Sequence, residues 1–114
     1  MDEATLKVEA ERRDTAVVLR AEGEVDSYTA GLLRDQLAAA FNTRLPVVLD
    51  LSRVEFFASA GLSVLVEYHL LGDDRGTPLR LVSPAGSVLR ALRATTLNET
   101  LELYFSLEEA LQGR

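Results

Sequence analysis

The stretch that decides the fold is Asp50-Leu-Ser-Arg-Val-Glu-Phe-Phe-Ala-Ser-Ala-Gly-Leu62. A hydrophobic strand here runs through small residues into a helix, which places Ser59 at the junction. A helix N-terminus exposes backbone N–H groups and carries roughly +0.5 elementary charge, so a hydroxyl or a phosphate interacts favourably with it. Ser59 is therefore the first residue to be explained.

The sequence before this stretch predicts two strands and a helix. Apolar and charged residues alternate over residues 6–11, as in a half-buried strand, and residues 15–23 should form the returning strand after a polar turn. Apolar residues then recur at helical spacing over about residues 28–41, and either Asp26 or Ser27 can cap that helix.

The deciding stretch itself predicts a strand followed by a helix. Residues 47–56 begin with an apolar, β-branched run that is typical of a central strand covered on both faces. From Ser59 onward the apolar positions return to helical spacing, and a turn over residues 72–76 should end this helix. The residues expected on its apolar side are Leu62, Leu65, Val66 and Leu70.

The remaining sequence predicts two more strand–helix pairs. Residues 79–82 form a buried strand, and Ser83-Pro84 is a strong helix start because Ser caps while Pro fills the first helical position. Residues 101–104 predict a short edge strand. The following helix, over residues 106–111, begins with the capping-box spacing of Ser106 and Glu109.

The resulting element order, ββαβαβαβα, predicts a single α/β domain over residues 1–114. Its mixed sheet should have four to five strands, packed against about four helices. In such sheets functional sites gather at the carboxyl ends of strands. Two of these junctions stand out, one containing Asp26 and the other Ser59.

Composition limits the possible partners. A net charge of −6 disfavours binding to nucleic acid or to anionic lipid, since both need clustered Lys and Arg. The chain has no Cys, no basic-then-apolar leader and no apolar run of about 18 residues, so a soluble, cytoplasmic protein is expected. A protein partner or a small ligand is left.

An enzyme would need a catalytic constellation, and Ser59 with His69 is the strongest one available. Ten residues along one helix separate the two by about 15 Å, which is beyond hydrogen-bond reach. The sequence has no nucleophile elbow, Walker loop or dinucleotide fingerprint. His69 also lacks a second His or a Cys with which to hold a metal. We therefore expect neither catalysis, a cofactor nor a metal.

Four motifs give the chain a resemblance that covers nearly its whole length. They are Gly23-Glu-Val-Asp-Ser-Tyr-Thr-Ala30, Asp50-Leu-Ser-Arg-Val-Glu-Phe56, Leu81-Val-Ser-Pro-Ala85 and Tyr104-Phe-Ser-Leu-Glu-Glu-Ala-Leu111. In this order and at this spacing they resemble the anti-sigma-factor antagonist family, the stand-alone bacterial STAS domains. The resemblance implies the STAS fold.

The resemblance also implies a phosphorylation switch. Members of this family bind an anti-sigma factor that is also a serine kinase, which frees a sigma factor for transcription. Phosphorylation of one serine at the start of the second helix abolishes that binding, and a serine phosphatase restores it. The family motif Asp-Ser-(Ser/Thr/Ala)-Gly-Leu maps this phosphoacceptor onto Ser59. The preceding family Asp is replaced by Ala58, which puts the kinase reaction in question.

The partner surface implied by this mapping lies around the two junctions. Alternation along the strand predicts that Phe56 continues the buried side and that Phe57 points to the other face, where it would suit a binding patch. Ser59 and Asp26 have a second interpretation as plain helix N-caps. The predicted partner-binding residues are Asp26, Ser27, Phe57, Ala58, Ser59, Ala60, Gly61 and Ser63.

Ala58 also motivates a different function. A STAS module without the family Asp could be a phosphorylation-independent scaffold, or a subunit of a sensory or lipid-transport complex. The sequence leaves self-association open.

Overall fold

The strands follow one another across the sheet in the order of the sequence. The computed structural model describes residues 5–83 and 85–113, and the predicted order ββαβαβαβα is confirmed. The elements are β1 (Leu6–Arg12), β2 (Val17–Val25), α1 (Ala30–Phe41), β3 (Val47–Phe57), α2 (Ser59–Arg75), β4 (Leu79–Val82), α3 (Ser87–Ala94), a 3-10 helix η1 (Leu97–Glu99), β5 (Glu102–Tyr104) and α4 (Leu107–Gln112).

The sheet has the order β1-β2-β3-β4-β5, with β1 antiparallel to β2 and the other neighbours parallel. Parallel neighbours need crossover connections, which the helices supply. The carboxyl ends of β2 to β5 therefore lie at one edge of the sheet, called the carboxyl edge below. Val25 at the end of β2 pairs with Phe57 at the end of β3, so the two junctions that follow are neighbours.

The core lies mainly on one face of the sheet. Side chains such as Leu19 and Leu49 pack there against apolar residues of α1, α2 and α3. On this side Tyr68 of α2 lies against Phe41, with ring centroids 5.3 Å apart, and burial raises the pKa of Tyr68. The opposite face carries a smaller cluster that α4 covers, formed by Val18, Val48, Val82 and Ala110.

The predicted alternation at the end of β3 is wrong. Phe57 is buried at 6% exposure, whereas Phe56 is 51% exposed. The pairing register with β2 shifts twice, between Arg20 and Glu22 and again between Gly23 and Glu24. Each shift opposes an extra β3 residue to its partner strand, as in a β-bulge, and an extra residue reverses which face the next side chain occupies. Leu51, Val54 and Phe57 are consequently buried at intervals of three.

The buried side of α2 also differs from the prediction. Leu65 is buried, but Leu70 is 60% exposed, and Leu62 and Val66 are half-buried. The buried residues of α2 are Gly61, Val64, Leu65, Tyr68 and Gly72, and Leu62 packs against the edge of the same core. The helical spacing of apolar residues did not include the glycines, and Gly61 and Gly72 pack too closely on their neighbours to leave room for a side chain. The helix also continues to Arg75, and Gly76 ends it in the left-handed conformation at φ 72°.

The predicted start of α3 is wrong by several residues. The helix begins at Ser87 after Gly86 (φ 92°), while Ser83 is fully buried and its backbone N–H donates to the Tyr104 carbonyl at 3.1 Å. Pro84 lies outside the described residues. The capping prediction for α4 is confirmed, since Ser106 Oγ accepts a hydrogen bond from the Glu109 N–H at 3.1 Å.

Bilayer crossing requires a long apolar helix. None of the helices within residues 5–83 and 85–113 is long and apolar enough to span a membrane.

Candidate functional site

The two candidate junctions lie side by side at the carboxyl edge. The backbone N–H of Ala58, directly before α2, donates to the carbonyl of Val25 at 2.9 Å. Val25 directly precedes Asp26. This hydrogen bond joins the turn before α1 to the turn before α2, so the structure brings Asp26 and Ser59 to one rim, as predicted from the topology.

Asp26 caps the turn that leads into α1. Its Oδ1 accepts hydrogen bonds from the backbone N–H groups of Tyr28 (2.9 Å) and Thr29 (3.1 Å). In return, Thr29 Oγ1 accepts from the Asp26 N–H at 2.9 Å. These reciprocal bonds satisfy donors that the start of a helix otherwise leaves unpaired. Asp26 thus caps the turn that leads into α1, whereas the N-cap position of the helix itself belongs to Thr29, and the contact of Asp26 with a partner remains a prediction.

Ser59 is the first residue of α2 and is exposed. The N-cap position belongs to Ala58, which is extended (φ −91°, ψ 173°) and makes no side-chain cap. The interpretation of Ser59 as a plain N-cap is therefore wrong. Because the first N–H groups of a helix have no intrahelical acceptor, the start of α2 presents donors beside the Ser59 hydroxyl. An anion attached to Ser59 would meet them directly.

Close packing, not capping, fixes the start of α2. A Cβ added to Gly61 would lie 2.7 Å from both the Phe57 ring and Val25 Cγ1. Phe57 and Gly61 are both buried, so these two predicted partner-binding residues support the site from inside. The prediction that Phe57 points to the partner surface is wrong, for the register reason given above.

The remaining predicted residues are accessible. Ser27, Ser59 and Ser63 are exposed, and Ala58 and Ala60 are half-buried. Tyr28, which follows Ser27, is 94% exposed. An aromatic side chain in water at the rim of a site is a feature of protein-binding surfaces, where aromatic anchors are enriched. Tyr28 was not among the predicted site residues.

An open groove of about 480 Å³ begins at Ser59. One wall is the outer side of α2, and the other is the turn between α3 and η1. The lining residues are Ser59, Leu62, Ser63, Val66, Glu67, Thr95 and Leu97. The helical spacing predicted Leu62 and Val66 on the apolar side of α2 and did not single out Thr95 or Leu97, and Leu62 does pack against the core. The sequence did contain a signal for this groove, because the apolar residues of α2 fall on two opposite sides of the helix.

The geometry gives no support to a Ser59–His69 pair. His69 Nε2 lies 3.5 Å from Asp73 Oδ2, one turn further along α2, and its distance from Ser59 along the helix axis is about 15 Å. Among the described residues, no group of three or more His, Cys, Asp or Glu side chains has the geometry to hold a metal ion.

Three proteins illustrate what this chain is similar to. Anti-sigma-F factor antagonist RsfA of Mycobacterium tuberculosis is 29% identical over 111 residues, which cover 95% of this chain and 87% of RsfA. Anti-sigma-F factor antagonist RsfB of the same organism is 32% identical over 99 residues, covering 84% and 79%. The crystal structure of an anti-sigma factor antagonist from Mycobacterium paratuberculosis has a TM-score of 0.85 at 33% identity, covering 95% and 92%.

The match to a family model is equally extensive. The model of the STAS domain matches residues 7–110, which include the two junctions and all five strands apart from Leu6 at the start of β1. The resemblance to anti-sigma factor antagonists noted in the four motifs is confirmed by the named relatives. The chain belongs to the STAS domain family.

Proposed function

We propose that this protein is an anti-sigma factor antagonist that is switched off by phosphorylation at Ser59. It binds an anti-sigma factor, which is also the serine kinase, and thereby frees a sigma factor for transcription. The similar proteins named as anti-sigma factor antagonists support the general role. The observation that carries the switch is an exposed serine at the uncapped start of α2, beside the Asp26 turn.

Folding should survive the modification. A phosphate brings about −1.5 to −2 charge and three strong acceptor oxygens. The start of α2 offers backbone donors that no side chain caps, and a helix N-terminus stabilises an anion by about 0.3–2 kcal/mol. The phosphate would therefore be held against the helix without disturbing the core.

Binding should fail for an electrostatic reason. Glu24 and Glu55 are exposed near the carboxyl ends of β2 and β3, and Asp26 lies at the same edge. A partner that covers this rim would have to desolvate the phosphate beside these carboxylates. An uncompensated buried charge costs several kcal/mol, so the phosphorylated form loses affinity while it stays folded.

The proposal includes a cytoplasmic location and a serine phosphatase that resets the switch. Ala58 favours a second candidate function, because the family Asp before the phosphoacceptor is absent. In that alternative the domain is a scaffold, or a subunit of a sensory or lipid-transport complex, and Ser59 is not modified.

Phosphate transfer separates the two candidates. The purified chain is incubated with ATP and each anti-sigma kinase of the source organism, and phosphate is located by mass spectrometry. We expect incorporation at Ser59, loss of it in Ser59→Ala, and retention in Ser63→Ala, which removes an exposed hydroxyl one turn further along α2. Failure of every kinase to modify Ser59 would favour the scaffold.

Binding of a charge mimic tests the switch itself. Ser59→Glu should weaken the affinity for the anti-sigma factor at least about fivefold in calorimetric titration, since a carboxylate supplies only part of the charge of a phosphate. Thr15→Glu is the matched control, because Thr15 is exposed in the turn at the opposite edge of the sheet. Unchanged affinity of a folded Ser59→Glu variant would remove Ser59 from the interface.

A further inference from the structure

Strand β1 leaves one side of the sheet open. It is the first strand of the sheet order and has seven residues, whereas β5 at the opposite end has only three. The free side of an outer strand can pair with another chain, and proteins prevent this with short strands, Pro or β-bulges. None of these devices is present in β1, which has no Pro and pairs with β2 without a register shift. The free side of β1 is called the β1 border below.

Alternate residues of β1 turn their backbone groups toward this border. At the two ends of the β1–β2 pair, the Thr5 carbonyl accepts from the Glu24 N–H at 2.7 Å, and the Arg13 N–H donates to the Ala16 carbonyl at 2.8 Å. Odd-numbered residues of β1 therefore face β2, and even-numbered residues face the border. Within the described residues, no backbone hydrogen bond from outside the β1–β2 pair reaches residues 6–12. The even-numbered N–H and C=O groups are thus available to a further strand.

An open, largely apolar groove of about 230 Å³ lies beside the border. Its lining residues are Ala10, Arg12, Val17 and Leu19 of the strands and Gln36, Ala39, Ala40 and Thr43 of α1. Arg34 of α1 contacts Glu67 of α2 at 3.1 Å, and the lining residues of α1 lie roughly half a turn around the helix from Arg34. The groove therefore opens away from α2, toward the border. Leu32, which is 39% exposed, lies on the same side of α1.

We propose that the β1 border pairs with the β1 border of a second copy of this chain, which joins two five-stranded sheets into one sheet of ten strands. A two-fold axis perpendicular to the sheet makes the two β1 strands antiparallel. In the register that we propose, Val8 lies opposite Val8 of the second copy, Leu6 opposite Ala10, and Lys7 opposite Glu9. Residues 6, 8 and 10 of the two copies would then share about six backbone hydrogen bonds.

The charges of β1 favour a second copy as the occupant. Lys7 and Glu9 form an ion pair at 3.5 Å, but their side chains are 69% and 67% exposed, and an exposed pair of this kind contributes little and leaves both groups accessible. In the proposed register the two copies form a ring of four charges with alternating sign. A shift of the register by two residues would oppose Glu9 to Glu9 or Lys7 to Lys7, and like charges directly opposite are destabilising. The strand is therefore complementary to itself in one register.

The second copy also brings its own α1 to the border. Helix α1 packs over β1 and β2, and neighbouring strands lie about 4.8 Å apart. The proposed axis keeps both α1 helices on the same face of the joined sheet, with their axes about 10 Å apart, which is a usual separation of packed helices. The apolar groove and Leu32 would lie between the two helices and be covered.

This arrangement makes the protein divalent. A two-fold axis perpendicular to the sheet reverses the strand direction, so the carboxyl edges of the two copies point in opposite directions. Neither Asp26 nor Ser59 lies at the β1 border. A dimer would therefore present two accessible junction sites on opposite ends of one continuous sheet.

The first test is the state of association of the full chain. Sedimentation equilibrium should show a reversible dimer at concentrations up to about 1 mM, since a small interface gives a weak complex. Ala10 is exposed, and Ala10→Pro removes an N–H group that faces the border and not β2. The domain should therefore fold, while the dissociation constant of the dimer rises tenfold or more. Ala10→Ser is the matched control, because it keeps the N–H group, and it should dimerise within twofold of wild type.

Exchange of the two charges tests the register. Lys7→Glu and Glu9→Lys each oppose like charges when the variant is alone, so each should lose the dimer. An equimolar mixture of the two variants restores opposite charges at every facing pair and carries the same total charge as two wild-type chains. The mixture should therefore dimerise within threefold of wild type.

Amide hydrogen exchange locates the surface that pairs. The N–H groups of Val8 and Ala10 should exchange more slowly as the protein concentration rises, whereas those of Lys7 and Glu9 stay protected by β2 throughout. A chain that remains monomeric up to about 1 mM, a dimer that survives the single charge variants, or a mixture that stays monomeric would overturn the proposal. Protection of Val8 and Ala10 by an added anti-sigma factor, and not by concentration, would assign the border to a strand of that partner and also overturn it.

Discussion

The turns before α1 and α2 are neighbours at one edge of the sheet, yet they are held in opposite ways. Before α1, Asp26 and Thr29 exchange hydrogen bonds and satisfy the N–H groups of the turn with side chains. Before α2, Ala58 offers no side-chain cap, and Gly61 packs against Phe57 and Val25 instead. A junction fixed by close packing keeps its polar groups available, whereas a junction fixed by capping has already used them.

This difference assigns different roles to the two turns. The donors at the start of α2 remain available to an anion, which suits the proposed phosphoacceptor. In the turn before α1 side chains already accept the N–H groups of Asp26, Tyr28 and Thr29. This suits a surface that presents Ser27 and Tyr28 to a partner. Substitutions at Gly61, Asp26 and Ala58 would break or sharpen the comparison.

The largest expected effect is on packing at the start of α2. Gly61→Ala places a Cβ 2.7 Å from the buried Phe57 ring, and overpacking of this kind costs about 1–3 kcal/mol. The free energy of unfolding from denaturant titration should fall by that amount. Gly31→Ala is the control, because nothing lies within 4 Å of its added Cβ, and replacing an exposed helical Gly should stabilise by about 0.5–1 kcal/mol. Equal stability of the two variants would show that packing does not hold the α2 start.

An intermediate effect is expected at the capped turn. Asp26→Ala removes the acceptor for two backbone N–H groups and should cost about 1 kcal/mol in the free energy of unfolding. Asp26→Ser should keep the melting temperature, since Ser caps about as well. If Asp26 also contacts the partner, the Ser variant should lose affinity, because charge-assisted hydrogen bonds are worth about 1.5–3 kcal/mol. Binding within twofold of wild type at low salt would reduce Asp26 to a capping residue.

The smallest change in stability is expected when the turn before α2 receives an acidic cap, as the turn before α1 already has. Ala58→Asp adds the missing cap and should stabilise the fold by about 0.5–1 kcal/mol. We also expect faster phosphorylation of Ser59 by the kinase, measured as initial rates of phosphate incorporation. Ala58→Asn caps without the charge and so distinguishes the two effects. An Asp variant that is modified no faster than wild type would make Ala58 a neutral replacement.

The order of the elements was predictable because it depends on local periodicity. The side of the sheet on which each residue at the end of β3 lies was not predictable. A β-bulge arises from pairing with another strand, and the hydrophobic pattern of one strand does not show how it pairs. The prediction therefore placed Phe56 in the core and Phe57 at the surface, which is the reverse of what the structure shows. The Ser83-Pro84 signal failed for a related reason, because Ser83 continues from β4 into a hydrogen bond with Tyr104.

Much of the site was predictable, and its groove was not. The junction residues Asp26 and Ser59 follow from strand ends and from the family motifs. The groove depends on which side of α2 faces the sheet. The spacing of apolar residues alone predicts that the side with Leu62 and Val66 does so. The side chosen by the fold contains Gly61 and Gly72, because a Cβ at Gly72 would lie 2.6 Å from the Thr77 carbonyl oxygen. The orientation of α2 thus depends on how closely the helix can approach its neighbours, which hydrophobicity does not measure.

The strand order has a consequence for how the chain is made. Each strand pairs with its neighbour in sequence, so during synthesis every new strand meets an edge that is already formed. The second face of the sheet is different, since Val18, Val48 and Val82 are covered by α4, which follows all of them in the chain. Until Ala110 has left the ribosome these valines face water and other nascent chains, where exposed apolar surface promotes aggregation. The six residues of α4 thus protect this face of the sheet from aggregation.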